Sequence, residues 1–362
     1  MATVLMRKSF NFVKQPQLQI SAHLSDSNKN AFRAAVLNDY GKELTVQERL
    51  PEKKLNKGEI RLKVKYCSIN ASDVLICSGK YDVMPKVPLV PGYELFGEVI
   101  ELGPGVDDDD FSVGESVIAL NKEHFSGLAE QCVLSTKDAW VVPSVDKPML
   151  WCGLADSYAT ALIGLARRGH LKTNNTILVT AAGGGLGLAA VDIAANVYKA
   201  KVIAVCESED KADTLRGKGA WAALKFSPKD IKKKVQDVTE GKGVDIIFDS
   251  VGNASMFQDS VNCVAHEGKV IVAGAAARQV KEVKTSLLLP KSFSLIGVSL
   301  HCYRNSAYKI YRQIVQDAID MFEQGLVSPH IAKTFTLNEV NEALKYVGEN
   351  VSTGQVIIDM HQ

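Results

Sequence analysis

A glycine-rich turn, Ala181-Ala-Gly-Gly-Gly-Leu-Gly187, separates a short apolar run from an amphipathic stretch. The run, residues 176–180, is predicted to be a strand, and the stretch from about 186 to 200 a helix. Glycines let phosphates and the helix approach the backbone closely. Exposed N–H groups at a helix start also favour a bound anion. The turn therefore predicts a site for the pyrophosphate of a dinucleotide. The expected contacts are Ala182, Gly184, Gly185, Leu186 and Gly187.

An ordinary strand–helix turn is the alternative interpretation of these glycines. The dinucleotide is favoured because a polar strand end, residues 202–207, follows about twenty residues later.

The elements that must position this turn fall into two patterns. From residue 155 to about 298, apolar runs alternate with helical patterns, which is typical of a parallel, doubly wound sheet. The expected strands there are 176–180, 201–206, 244–249, 268–274 and 293–298. From 34 to about 148 the chain is strand-rich, with strands expected at 34–37, 59–69, 95–102, 116–120 and 129–133.

The carboxyl-terminal segment is too short to fold alone. We expect a helix after Tyr303 to about Gln324, a further segment at 340–346 and a closing strand at 355–359. This segment should return to the first domain, and the cleft between the two domains is the expected substrate site.

Composition limits the classes of function. A chain of 362 residues with 46% apolar content is long enough for two domains with their own cores. The 42 basic residues nearly balance 41 acidic ones, so charge gives no reason to expect nucleic acid as a partner. Apolar runs are too short to span a membrane. The seven cysteines are scattered without a CxxC pair, which indicates reduced thiols.

The amino terminus differs from the rest of the chain. Residues 1–25 contain no Asp or Glu, while Arg7, Lys8 and Lys14 alternate with apolar residues. This composition predicts a mitochondrial transit segment within residues 1–30, with a disordered tail of a cytoplasmic protein as the alternative.

Several short motifs occur in a specific order. They are Asn70-Ala-Ser-Asp73, Pro91-Gly-Tyr-Glu94 with Gly97, Gly114-Glu-Ser-Val117, Ala155-Asp-Ser-Tyr-Ala-Thr160, the glycine turn, Asp249-Ser-Val-Gly252 and Ser352-Thr-Gly-Gln-Val356. From about residue 34 to 360 the chain resembles the medium-chain dehydrogenase/reductase superfamily, and within it the zeta-crystallin-like quinone oxidoreductases.

The resemblance implies an α/β fold of two domains. A GroES-like, β-rich catalytic domain should comprise residues 31–154 and 300–362. A Rossmann domain with a doubly wound parallel sheet should comprise residues 155–299.

Zinc-dependent members of the superfamily place a Cys before a Ser/Thr-Asp pair and a His after Pro-Gly. Here those positions hold Asn70 and Tyr93, which bind zinc far more weakly. We therefore expect no metal.

Without a metal to hold an alkoxide, reduction of a conjugated carbonyl is the easier reaction. A hydride from the nicotinamide adds to an electron-poor carbon, and polar donors stabilise the carbonyl oxygen. The resemblance nominates Asn70 and Asp73 to line the site, and Tyr81 as the proton donor, as in enoyl-thioester reductases. The structural alternatives are a helix cap for Asn70 and packing roles for Asp73 and Tyr81.

We thus expect NADPH-dependent reduction of a quinone or enone. A 2-enoyl-thioester reductase using Tyr81 is one alternative. A catalytically silent NADPH-binding structural or interaction protein is another.

Cofactor choice depends on the end of the second Rossmann strand. Enzymes that use NAD place an acidic side chain at this position, but here the residue is Cys206. The resemblance assigns Ser208 and Lys211 to the 2′-phosphate of NADPH. The Glu207 carboxylate would repel that phosphate. Phe226 replaces a tyrosine that is common in the family and so lacks its hydroxyl. NADPH is favoured and NADH stays open.

Further contacts are expected from three residues. Thr160 should touch the cofactor's phosphate or nicotinamide, or else bond back to a helix carbonyl. Gly252 and Gly274 should end parallel strands near the nicotinamide ribose.

Residues 292–300 should form an edge strand through which the chain pairs as a homodimer. Protection of this edge by the chain's own tail is the alternative.

Overall fold

The computed structural model describes residues 31–51, 54–107, 109–143, 146–228, 230–274, 276 and 283–361. Within them, one unit is built mainly on antiparallel strands and the other on a parallel sheet. This confirms the predicted α/β fold class. The predicted transit segment, residues 1–30, lies outside the described residues.

The first unit is rich in strands because apolar side chains recur near every second position between turn residues. Its elements are β1 Phe32–Val36, β2 Thr45–Arg49, β3 Glu59–Ile69, helix α1 Ala71–Cys77, β4 Glu94–Leu102, β5 Ser116–Leu120, β6 Gln131–Ser135, β7 Ala139–Val141 and helix α2 Pro148–Cys152. Strand β1 pairs with β2 in a separate antiparallel ribbon.

The second unit alternates strands with helices. Its elements are α3 Ala155–Leu162, continued by a π-helical segment to Arg168, β8 Thr176–Thr180, α4 Gly185–Asp192, continued likewise to Val197, β9 Lys201–Cys206, α5 Glu209–Gly217, β10 Ala222–Lys225, α6 Ile231–Val238, β11 Val244–Asp249, α7 Ala254–Val261, β12 Val264–Val272 and β13 Ser294–Gly297. The strands are all parallel, in the order β10-β9-β8-β11-β12-β13.

Central strands of this sheet are buried on both faces. Ile177, Leu178 and Val179 of β8 are fully buried, which explains the continuous apolar run in their sequence.

The chain then crosses back to the first unit. It forms helices α8 Leu300–Ser306 and α9 Tyr308–Glu323, strand β14 Ile331–Thr336, helix α10 Val340–Gly348 and strand β15 Gln355–Asp359. Strand β15 pairs antiparallel with β3 and parallel with β14. The seven-stranded sheet therefore has the order β14-β15-β3-β4-β5-β7, with β6 also on β3.

Helix α9 contacts both units. It packs against α3 of the second unit. Its Tyr311 ring meets Trp140 of β7 in the first unit, with ring centroids 5.4 Å apart. From Ile331 onward the chain contributes strands to the first sheet. Helix α9, which contacts both units, therefore lies between them.

Some predicted elements need correction. The helix expected after Tyr303 is two helices, divided at Ala307, whose φ of −146° is not helical. Strands β2, β7, β10 and β14 were missed. Strand β2 gave no apolar alternation because four of its five side chains are exposed.

Candidate active site

The glycine turn follows β8 at the carboxyl edge of the parallel sheet. A Cβ on Gly187 would lie 2.6 Å from the Ala181 carbonyl oxygen and 2.7 Å from Ala182 Cα. Only glycine therefore allows α4 to begin so close to the strand. The first N–H groups of an α-helix have no acceptor within it. Those of Gly185, Leu186 and Gly187 are thus free to meet an anion.

The closing strand lies directly under this turn. Gly354 N donates to the Gly183 carbonyl oxygen at 2.8 Å. The buried Gln355 amide donates to Ser157 Oγ at 2.9 Å, and its carbonyl oxygen accepts from Ser68 Oγ at 3.2 Å. A Cβ on Gly185 would lie 2.6 Å from Gln355 Nε2. Gln355 therefore joins the first unit, helix α3 and the glycine turn. In the sequence, Gln355 stands out only as part of the motif at residues 352–356.

The end of β9 brings three of the predicted cofactor residues together. Ser208 caps α5 by accepting from Lys211 N at 3.3 Å. The buried Lys211 ammonium donates to the Asn350 carbonyl oxygen at 2.7 Å and to Glu207 at 3.1 Å. Phe226 N donates to the Cys206 carbonyl oxygen at 2.7 Å. Lys211 also packs on Gly183, so its charge stands beside the turn but already has partners.

Two further predicted glycines lie at the same edge. Gly252 has a φ of +68° and donates to Asp249 Oδ1 at 3.3 Å. A Cβ on Gly274 would lie 1.9 Å from the Ser250 carbonyl oxygen, so only glycine fits. The other oxygen of Asp249 is buried and accepts no hydrogen bond from a described residue. Burial raises the pKa of Asp249. This orphaned acceptor suits a ribose hydroxyl at the carboxyl edge.

The predicted catalytic residues have different surroundings. Asn70 is the N-cap residue of α1, and its amide donates to Glu94 Oε2 at 2.8 Å. Asp73 is fully buried and accepts from Asn70 N at 2.8 Å and Gly92 N at 3.2 Å. Both residues therefore shape the loop entering α1. Tyr81 lies on the loop after α1 and is 38% exposed. Its hydroxyl makes no hydrogen bond with a described residue.

A polar array beside Asn70 was missed by sequence reasoning. Ser72 Oγ donates to the Tyr93 hydroxyl at 2.8 Å, and that hydroxyl donates to Asp156 Oδ2 at 2.7 Å. Lys122 Nζ donates to Asp156 Oδ1 at 2.5 Å and lies 4.6 Å from the centre of the Tyr93 ring. Asp156 N donates to Glu94 Oε1 at 2.9 Å. The array joins the two units because Asp156 lies in the first turn of α3.

Thr160 lies one helical turn after Asp156. Positions four apart share a face of a helix, so the predicted cofactor contact is on the Asp156 side of α3. Its side chain is buried.

Burial controls the ionisation of this site. It raises the pKa of Asp73 to about 7, against the lowering effect of the Asn70 and Gly92 N–H groups. Burial and the charge of Asp156 together raise the pKa of Glu94 to about 7. Burial and the same charge raise the pKa of Tyr93 well above its usual value. Tyr93 is therefore a neutral phenol at physiological pH.

Comparison with known proteins matches this architecture. Residues 56–161 match the alcohol dehydrogenase GroES-like domain, and residues 185–320 match the family described as zinc-binding dehydrogenase. A quinone oxidoreductase-like protein 2 homolog of Nematostella vectensis is 36% identical over 337 residues, which cover 93% of this chain and 91% of the relative. The chain belongs to the medium-chain dehydrogenase/reductase family.

Further relatives agree with this family. Quinone oxidoreductase-like protein 2 of Rattus norvegicus is 34% identical, over 91% of this chain and 92% of its own. A mycobacterial protein solved in complex with NADPH has the same fold, with a TM-score of 0.83 at 23% identity over 91% of this chain and 100% of its own. The resemblance predicted from sequence is thus confirmed. This member of the family is an NAD(P)H-dependent oxidoreductase.

The described residues of this family member fit a nicotinamide dinucleotide. The turn at 182–187 offers helix-start N–H groups, and the Asp249 oxygen offers an unused acceptor. When bound, such a cofactor supplies a hydride. Across the described ranges, no three His, Cys, Asp or Glu side chains are grouped so that they could hold a metal ion. No described helix has the length and apolar character needed to cross a membrane.

Proposed function

We propose that this enzyme reduces a quinone or an enone with NADPH, by direct hydride transfer and without a metal. One observation carries the proposal. Gln355 and α3 join the glycine turn to a polar site where the zinc-ligand positions of related enzymes hold Asn70 and Tyr93. The side chains of both residues are already engaged in hydrogen bonds to carboxylates.

The chemistry of these donors favours a conjugated acceptor. Alcohol oxidation needs a group that holds an alkoxide, a task that zinc performs in related enzymes. Reduction of an enone or quinone needs only hydrogen-bond donors near the oxygen that gains charge, and then a proton. The polar array at the junction of the two units offers such donors.

Steady-state turnover tests this proposal. Oxidation of NADPH is measured with ortho-quinone, enone and 2-enoyl-thioester acceptors, before and after treatment with a chelator. We expect turnover with quinones or enones that survives chelation. Turnover confined to enoyl thioesters and lost in Tyr81→Phe would instead assign the enoyl-thioester reaction. Cofactor binding without turnover of any acceptor would assign the chain to the silent class.

We also propose NADPH in preference to NADH. Lys211 and Ser208 lie at the end of β9, beside the glycine turn, and Lys211 is held there by Glu207 and Asn350. A 2′-phosphate near this ammonium would compete with Glu207 for it. Dissociation constants of both reduced cofactors are compared in wild type, Lys211→Ala and Glu207→Gln. We expect Lys211→Ala to weaken the binding of NADPH but not that of NADH, and Glu207→Gln to strengthen the binding of NADPH. Equal affinities that neither change alters would overturn the assignment.

We propose that the chain is a homodimer through β13. This strand lies at one edge of the parallel sheet, and Leu295 on it is 41% exposed. Nearby, Val298 and Tyr303 line a largely apolar cavity of about 490 Å³. Ile296→Lys should yield a monomer by size-exclusion chromatography, whereas an unchanged elution volume would count against the dimer.

We propose a mitochondrial location from the composition of residues 1–30 alone. The test is fractionation of cells that express the full chain, compared with a chain lacking residues 1–30. Equal cytoplasmic distribution of both would refute it.

A further inference from the structure

Lys122 is held at a fixed point at the junction of the two units. It follows β5, and its ammonium donates to Asp156 Oδ1 at 2.5 Å, while the Tyr93 ring lies below it at 4.6 Å. The Tyr93 hydroxyl in turn donates to the other oxygen of Asp156 at 2.7 Å. The carboxylate and the ring thus restrain a side chain that is otherwise flexible.

The ammonium keeps unused hydrogen-bonding capacity. A lysine ammonium has three N–H donors, and among the described residues Asp156 is the acceptor of one of them. The side chain is 23% exposed and that of Asp156 16%, so the ion pair is largely shielded from water but still accessible. Charge–charge interactions are stronger in such a position than in bulk water.

The Lys122 ammonium stands among acidic groups. Asp156 contacts it directly, and Glu94 and Asp73 lie behind Asp156 and Asn70. Burial raises the pKa of both Glu94 and Asp73 to about 7, so each is partly neutral at physiological pH. Lys122 and Asp156 form the ion pair of this site.

We propose that Lys122 is the group that stabilises the negative charge on the substrate's carbonyl oxygen, and that Asp156 and Tyr93 position it. This inference rests on the proposed function and deepens it. The hydride that NADPH would supply, by breaking its own C–H bond and becoming NADP⁺, adds to the electron-poor carbon, and the π electrons of the conjugated system move to the oxygen. The ammonium faces that oxyanion, and water supplies the proton that completes the product.

Neither tyrosine of the site is equally suited to this role. The Tyr93 hydroxyl already accepts from Ser72 and donates to Asp156, so its proton is committed. Tyr81 has no hydrogen bond to a described residue that would fix its hydroxyl. Lys122 is both fixed and charged.

A spectroscopic probe tests the inference without turnover. 4-Nitrophenol is a mimic of the oxyanion, because its absorbance distinguishes phenol from phenolate. The pKa of the bound phenol is measured on the full-length protein with NADP⁺ present. We expect wild type to lower that pKa by at least about one unit, since a fixed ammonium favours the charged form. Lys122→Met should abolish this lowering.

The matched control is Lys65→Met. Lys65 is also a partly exposed lysine, with a side chain 25% exposed and an ion pair to Glu98 at 2.8 Å, but it lies on β3 away from Asp156. Lys65→Met should leave the pKa of the bound 4-nitrophenol at its wild-type value. Lys122→Met removes the ion-pair partner of the Asp156 carboxylate. The double variant Lys122→Met, Asp156→Asn is therefore also tested, and folding of every variant is checked by circular dichroism.

Turnover is a second readout. Removal of one oxyanion donor costs about 10²–10³ in kcat, so Lys122→Met should lose kcat on this scale while the dissociation constant of NADPH changes less than about twofold. Wild-type behaviour of either folded Lys122 variant, in phenol pKa and kcat, overturns the inference. Failure of wild type to lower the phenol pKa overturns it as well. Absence of turnover in wild type would instead refute the proposed function, and the phenol titration would still report on Lys122.

Discussion

Gly187→Ala should separate cofactor binding from folding. The new Cβ would lie 2.6 Å from the Ala181 carbonyl oxygen and 2.7 Å from Ala182 Cα. Both neighbours are backbone atoms, so no side-chain rotation relieves the contact. Reaching an ordinary separation of 3.4 Å requires the start of α4 to move by about 0.8 Å.

That shift is large on the scale of a hydrogen bond. N–H···O bonds are favourable between about 2.7 and 3.2 Å, so a displacement of this size removes bonds from helix-start N–H groups to a phosphate. Hydrogen bonds to charged groups contribute about 1.5–3 kcal/mol each. Loss of two costs about 3–6 kcal/mol, which weakens NADPH binding about 10²- to 10⁴-fold.

The cost to folding should be smaller. Overpacking typically destabilises a protein by about 1–3 kcal/mol, against a total stability of about 5–15 kcal/mol. The variant should therefore remain folded. The assay is titration of NADPH fluorescence, with urea unfolding measured on the same sample.

Gly217→Ala is the matched control. Gly217 ends α5, has no positive φ, and a Cβ there would meet nothing within 4 Å. It should bind NADPH as wild type does. Wild-type NADPH affinity in a folded Gly187→Ala variant would refute the assignment of the turn as the pyrophosphate site.

Three further predictions concern Gln355, Asp73 and Tyr81. Gln355→Ala leaves the buried Ser68 and Ser157 hydroxyls with fewer partners and should lower the free energy of unfolding by about 2–3 kcal/mol in urea, whereas Gln313→Ala, at an exposed pair with Asp317, should change it little. Because burial raises the pKa of Asp73 to about 7, its neutral form favours the folded state, so stability should fall as pH rises from about 4 to 7. Asp73→Asn should flatten that dependence and the exposed Asp82→Asn should not; identical urea-unfolding profiles for wild type and Asp73→Asn would contradict the raised pKa. Tyr81→Phe should leave quinone turnover within about twofold, because no described residue holds the Tyr81 hydroxyl by a hydrogen bond; a hundredfold loss of kcat would instead assign Tyr81 as the proton donor.

The features that sequence predicted well are local in the chain. The strand at 176–180, the turn and the start of α4 are contiguous, and their order alone indicates the dinucleotide site. Strands 59–69, 116–120, 201–206, 244–249 and 355–359 have the predicted bounds because each coincides with a run rich in apolar residues. Strand β2 has mostly exposed side chains and so left no such pattern.

The polar array could not be predicted from local sequence patterns. Ser72, Tyr93, Lys122 and Asp156 come from four separate segments: the first unit's fold brings the first three together, and packing of α3 against that unit adds Asp156. Each is unremarkable in its own segment. A helix cap was the structural alternative for Asn70, and the structure shows that cap, but the sequence did not indicate that the Asn70 amide would donate to Glu94.

The central claim is that hydride passes directly from NADPH to an electron-poor carbon in a site without metal. The most direct measurement uses chelator-treated enzyme, NADPH with deuterium at both C4 positions of the nicotinamide and an enone, with the product examined by NMR. We predict deuterium on the β-carbon of the product, formed at the same rate as by untreated enzyme with the same deuterated cofactor, and with less than stoichiometric zinc in the protein. Loss of activity on chelation that zinc restores, or product without deuterium at that carbon, would contradict the account.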